Sequence, residues 1–198
     1  MLRLILAGLA AAMAFTALAA PTPASTVDHF HAVLLSNMEH GQTLGCSGRT
    51  QKMAAVVPAT FDLPFISRQV LRHHWSELTP AQQATLVQAM QALAIATYAG
   101  QFARFSGEKF TTEETQSLPN GAQLVRAKLS LPNRDPVNFD YVLRLDDGHW
   151  KVINVVADGV SDLAIRSAQY ERLFKEQGYD GLIGFLHKQI EQLQKTCP

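Results

Sequence analysis

The chain has 198 residues, 47% of them apolar and only 17% charged, with 17 Lys and Arg against 17 Asp and Glu. That length predicts one domain with enough chain for a core that needs no staples. Balanced charge excludes the basic face of a nucleic-acid binder, and the apolar content excludes general disorder.

Arg3, the apolar stretch Leu4 to Leu18, and Ala17-Leu18-Ala19 ahead of Pro21 and Pro23 form the three parts of a secretory signal peptide. A helix over that stretch would span about 22 Å of a roughly 30 Å hydrocarbon core, too short for a membrane anchor. Residues 1–19 are therefore expected to be cleaved on export, leaving 20–198 as a single domain. Only Arg3 is lost among the charged residues, so the mature chain has 17 − 1 = 16 basic and 17 acidic residues.

Val27, Phe30, Leu34 and Met38 recur at helical spacing and predict an amphipathic helix over about 26–40, with Gly41 as a left-handed C-terminal residue. Met53, Val56 and Val57 predict a short helix stopped by Pro58, and Asp62 before Leu63-Pro64 caps another to about Trp75. Thr79-Pro80-Ala81-Gln82 is a capping box that opens a long helix to about Phe105.

After Gly107 the period changes to two. Strands are expected over 109–118 and 122–131 around Pro119-Asn120-Gly121, then over Val137–Leu145 and His149–Ala157 around Asp147-Gly148. Helices at about 162–177, ended by Gly178, and at about 180–194 close the chain. The fold class is α+β: a curled four-stranded antiparallel sheet under a long helix, with further helices at both ends.

Two cysteines, Cys46 and Cys197, permit one disulfide in an exported protein. No nucleophile elbow, phosphate loop or dinucleotide fingerprint is present. The pairs His29/His31 and His73/His74 are spaced too closely to share a helix face, so no metal chelate is expected and the histidines read as surface or boundary residues. Asp140 beside Tyr141 would be an acid–base pair only if both faced one pocket; the strand period sends Asp140 to the solvated face. The many aromatics read as core material at helical or strand spacing, with a ligand cavity as the alternative.

Trp150-Lys151-Val152-Ile153-Asn154-Val155-Val156-Ala157-Asp158-Gly159-Val160-Ser161, followed by Arg166-Ser167-Ala168-Gln169-Tyr170, resembles the signature of the MlaC/toluene-tolerance family of periplasmic lipid-transport auxiliary proteins. Upstream, Val70-Leu71, Trp75, Leu78, Gln82 and Tyr98 match its second region; downstream, Gly178, Gly181-Leu182-Ile183 and Leu186 match its closing helix. Phe61-Asp62-Leu63-Pro64 and Asp158 to Ala164 are closer to the hopanoid-associated HpnM branch. Leu71-Arg72-His73-His74 and Asn154 depart from the wider family's usual Leu-Gly and Asp.

The resemblance implies a nuclear-transport-factor-2-like cone with extra helices, periplasmic and without catalysis or cofactor. It would take phospholipid or hopanoid tails into an apolar cavity and exchange them with inner- and outer-membrane transport components. The expected lining is Phe65, Leu71, Trp75, Tyr98, Phe102, Tyr141, Val156, Val160, Tyr170 and Phe174. Two other readings stay open: a cone-fold enzyme acting on a terpenoid or lipid through Asp140 and Tyr141 or a histidine, and a non-catalytic interaction module of the envelope with a solid interior.

Overall fold

Two threonine capping boxes set the helical frame. In the computed structural model, which describes residues 21–198, Thr22 opens α1 (Pro23–Glu39): its hydroxyl accepts from Ser25 N and its N–H donates to Ser25 Oγ. Thr79 does the same with Gln82 to open α4 (Pro80–Gln101), so both helices start with their first amides satisfied and a proline in the first turn. The expected signal peptide, residues 1–19, lies outside the described residues.

Between them, α2 (Gly41–Thr60) is much longer than the short helix expected over Met53–Val57. It bends at Gly45 (φ 57°) and carries Pro58 in its last turn, ending two residues later at Thr60. Lys151 then donates to the carbonyls of Pro58 and Ala59, supplying the cation that a helix C-terminus favours. Gly41 also differs from expectation. It is not left-handed; a Cβ there would sit 1.9 Å from the Ala103 carbonyl oxygen, so the residue is required by a close approach of two backbones.

Helix α3 (Leu63–Leu71) is capped by Asp62, whose carboxylate accepts from Phe65 N. It ends before Trp75 because Arg72 is left-handed (φ 46°), and a 3-10 turn over Arg72–Glu77 follows. The chain closes with α5 (Asp162–Thr196), interrupted at the left-handed Gly178 (φ 68°).

The sheet is an antiparallel meander in the order β1 (Lys109–Ser117), β2 (Gln123–Ser130), β3 (Val137–Asp146), β4 (His149–Ala157) and β5 (Val160–Ser161). It has five strands where four were expected. Asp158 (φ 46°) and Gly159 (φ 81°) both take positive φ, the requirement of a tight hairpin, and fold Val160-Ser161 back onto Ala157 and Val156. That small strand aims the start of α5.

Two apolar clusters make the core. In the first, α1, α2 and α4 cover the inner sheet face through Phe30, Leu34, Met53, Val57, Val125 and Leu143. The second joins α3, α4 and α5 through Leu71, Leu86, Leu93, Tyr170, Leu182 and Leu186. Ile66 packs against both.

Buried polar groups tie the helices to this frame. Arg49, 1% exposed, donates Nε to Ala99 O at 2.8 Å, Nη1 to Gly41 O at 2.7 Å, and Nη2 to Pro198 O. Its guanidinium so satisfies carbonyls at the α1–α2 joint and at the end of α4. Nearby, Cys46 and Cys197 form a disulfide, tying the start of α2 to the end of α5 across 151 residues. His31 is not a surface or boundary residue but 4% exposed, stacked on Phe110 at 4.1 Å and hydrogen-bonded through Nε2 to the Tyr141 hydroxyl at 2.9 Å. Burial lowers its pKa to about 4, against the opposing pull of Asp28, so it is neutral near pH 7.

Candidate functional site

The inner face of β4 changes parity halfway along. Leu143 pairs with Val152 and Val142 with Asn154, which leaves Ile153 as an extra residue in a β-bulge. Before the bulge the inward residues are Trp150 and Val152; after it they are Val155 and Ala157. The sheet therefore turns a smooth apolar wall toward α4 just where α5 begins.

Facing that wall, α4 presents Met90, Ala94, Thr97, Tyr98, Gln101 and Phe102, which share one face at helical spacing. Phe61, Leu63 and Ile66 close one end, and Leu163, Ile165 and Arg166 from the first turns of α5 close the other. These surfaces line a cavity of about 390 Å³, open to solvent on one side, at the junction of the two core clusters. That is within the ~300–1,000 Å³ range of small-molecule sites. Ala94 and Thr97 keep it open, being too short to fill the gap between Met90 and Tyr98.

The cavity wall is apolar and its rim is polar. Asn154 Oδ1 accepts from Ser161 Oγ at 3.1 Å and from Leu163 N at 3.3 Å, which fixes β5 and the first turn of α5 over the opening. Asp162 Oδ2 and Arg166 Nε are 2.6 Å apart, and Arg166 Nη1 donates to the Tyr170 hydroxyl at 3.2 Å. Burial alone would depress the Arg166 pKa, but the adjacent Asp162 carboxylate outweighs it and holds the guanidinium charged. Tyr98 packs edge-on to Phe30 and over Phe61, and its phenol side chain lines the cavity. Burial pushes that hydroxyl's pKa up, Asp162 adds to the rise and Arg166 opposes it, so the phenol stays protonated. Beside this polar edge, Val160 and Ile165 are 54% and 55% exposed while lining the mouth.

Of the residues expected to line such a space, Tyr98, Phe102 and Val160 do so. Leu71, Trp75, Tyr170 and Phe174 instead belong to the second core cluster, on the far side of α3 and α5. Phe65 lies under the Arg144 guanidinium, 4.9 Å from its centre, and that guanidinium also pairs with Asp62 at 2.5 Å. Tyr141 is sealed beneath α1 by its bond to His31. Val156 falls on the outer face of β4 because the Ile153 bulge gives the inner face to Val155 and Ala157. Sequence reasoning missed Ile66, Met90, Ala94, Val155, Leu163 and Arg166. The run of small residues around Ala94 on α4 was a readable signal for an unfilled face; the bulge left no mark.

The strand period is right about Asp140: it is half-buried, 3.7 Å from Arg126, on the face opposite Tyr141. The two cannot act on one bound molecule. Among the described residues, no group of three His, Cys, Asp or Glu side chains is placed to hold a metal ion, and no helix is long and apolar enough to cross a membrane. A second recess of about 290 Å³, between Met38, Phe102, Arg104, Glu108 and Leu129, is more open and carries less apolar wall.

Fold and site together define a class: a small α+β protein with a helix-covered antiparallel sheet, holding an apolar cavity with a charged, partly apolar rim. Residues 28–188 match the MlaC protein family, and the chain belongs to that family. Among solved structures it is similar to the phospholipid-binding protein from Ralstonia solanacearum, determined in complex with a phospholipid. The two share 24% sequence identity over 85% of this chain and 97% of that one, with a TM-score of 0.72, which establishes a common fold.

Proposed function

We propose that this protein is a periplasmic lipid carrier that holds acyl or polycyclic tails in the 390 Å³ cavity and moves them between envelope membranes. The cavity is the observation that carries the reading. Protein interiors pack nearly solid. The 390 Å³ recess is open to solvent on one side, so its apolar wall stays in contact with water unless a ligand covers it. A chain that keeps such a space keeps it as a binding volume.

Shielding each methylene from water contributes about 0.8 kcal/mol, so a dozen buried methylenes supply about 10 kcal/mol before association costs. No charge on the wall is needed, and the family's phospholipid-bound relative uses the same fold. Tight holding makes spontaneous release slow, so delivery requires the mouth to open against a membrane or a membrane-bound partner. The cone shape, the cleaved leader and the transient inner- and outer-membrane partners belong to this proposal, as does a hopanoid as an alternative cargo to phospholipid.

Transfer between vesicles tests it. Donor vesicles carrying a self-quenched fluorescent phospholipid are mixed with unlabelled acceptors, with and without protein. Carrier action predicts dequenching whose rate rises linearly with protein concentration. A rate equal to the protein-free control would remove transfer from the reading.

A further inference from the structure

We propose that the Asp162–Arg166 pair at the cavity mouth reads the headgroup of the bound lipid and selects a zwitterionic one, a phosphate tethered to an ammonium. This rests on the lipid-carrier reading above and adds the headgroup chemistry to it. Among the residues lining the cavity, Asp162 and Arg166 are the only formal charges, one of each sign, one turn apart on α5. Tails seated against Ala94, Thr97 and Val155 leave the first polar atoms of the ligand at this edge.

The pair is only half used. Arg166 spends Nε on Asp162 Oδ2 and Nη1 on Tyr170, and Nη2 has no hydrogen-bond partner among the described residues. Asp162 spends Oδ2, and its Oδ1 has none either. A phosphate can therefore accept from Nη2 while a tethered ammonium donates to Oδ1, without breaking the existing bond.

An anionic headgroup without the ammonium gains the same contact to Arg166 but brings its charge close to the Asp162 carboxylate. The backbone of α5 does not offer an alternative phosphate seat. Leu163 N is taken by Asn154 and Ala164 N by Ser161. Net charge at the rim is zero, which suits a headgroup whose own charge is zero but whose ends are opposite.

Asp162 is mostly exposed and Arg166 is partly so, which limits the discrimination to about threefold, typical of a solvent-accessible ion pair. The test incubates wild type, Asp162→Asn and Arg166→Gln with vesicles of equal parts phosphatidylethanolamine and phosphatidylglycerol bearing the same acyl chains. Protein is re-isolated and its lipid quantified by mass spectrometry. Wild type is expected to be enriched about threefold in the ethanolamine lipid. Asp162→Asn should lose that enrichment or invert it. Equal capture of both lipids by wild type, or the same enrichment in Asp162→Asn, overturns the headgroup assignment and leaves the carrier reading standing. Wild type re-isolated without either lipid overturns the carrier reading itself. Should Arg166→Gln fold poorly, Asp162→Asn decides alone, since its side chain lies mostly in water.

Discussion

Filling the cavity from its floor separates binding from folding. Ala94 lies on the cavity face of α4, so Ala94→Phe keeps the Cβ that packs on the first core cluster and projects a phenyl ring into the 390 Å³ space. The ring takes room otherwise open to about six tail carbons, and at about 0.8 kcal/mol each the lost burial is about 5 kcal/mol, more than a thousandfold in affinity. Stability should move the other way. A phenyl buried against Met90, Tyr98 and Val155 contributes about 1.5–3 kcal/mol, which for a chain of this size raises the melting temperature of lipid-free protein by roughly 3–12 °C. Differential scanning calorimetry on delipidated protein measures the second quantity, and lipid extracted per mole of purified protein measures the first. A variant that melts lower than wild type shows the space to be too tight for a ring. One that is more stable yet carries wild-type lipid places the ligand elsewhere; either result refutes the reasoning.

Three further predictions concern the frame. His31 has a folded pKa of about 4 against 6.5 unfolded, so the unfolded chain binds the extra proton between those values and stability falls as pH drops through that window. The loss between pH 7 and 4.5 is about 2–3 kcal/mol from this group, and urea melts of His31→Gln should be flatter than wild type over the same range. Replacing both Cys46 and Cys197 by serine opens a 151-residue loop and should cost on the order of 3–5 kcal/mol in chemical denaturation; an unchanged midpoint would show that the link does not constrain the unfolded chain. Gly41→Ala drives a methyl into the Ala103 carbonyl, and a loss of about 1–3 kcal/mol or more is expected, read as a lower urea midpoint. A neutral result would mean that α1, α2 and α4 can separate at their joint at little cost.

What could be read from the residues depended on whether the cause was local. Thr79-Pro80 and Asp147-Gly148 determine a helix start and a hairpin through their own backbone preferences, and both stand where expected. The helix holding Pro58 ends only two residues beyond it, but the donor that caps its last carbonyls, Lys151, comes from a strand more than ninety residues away. Gly41 was misassigned for a similar reason: the carbonyl it makes room for belongs to Ala103. The site shows the same divide. Tyr98 and Phe102 were legible as the aromatic edge of a long helix. Val156 was chosen over Val155 because a two-residue period cannot register one inserted residue at Ile153. Leu71, Tyr170 and Phe174 have the composition of a cavity lining, yet α3 and α5 pack them into a second core. Composition distinguishes apolar from polar surface; only the packing of helices decides which apolar surface stays open.

The central claim is that the cavity between α4, β4 and the start of α5 is a lipid-binding volume. Native mass spectrometry of protein purified without detergent tests it most directly. The account predicts one lipid-sized adduct per chain, released on gentle activation and absent from Ala94→Phe. A wild-type spectrum showing the bare polypeptide mass alone, after vesicle incubation as well as on purification, would contradict it.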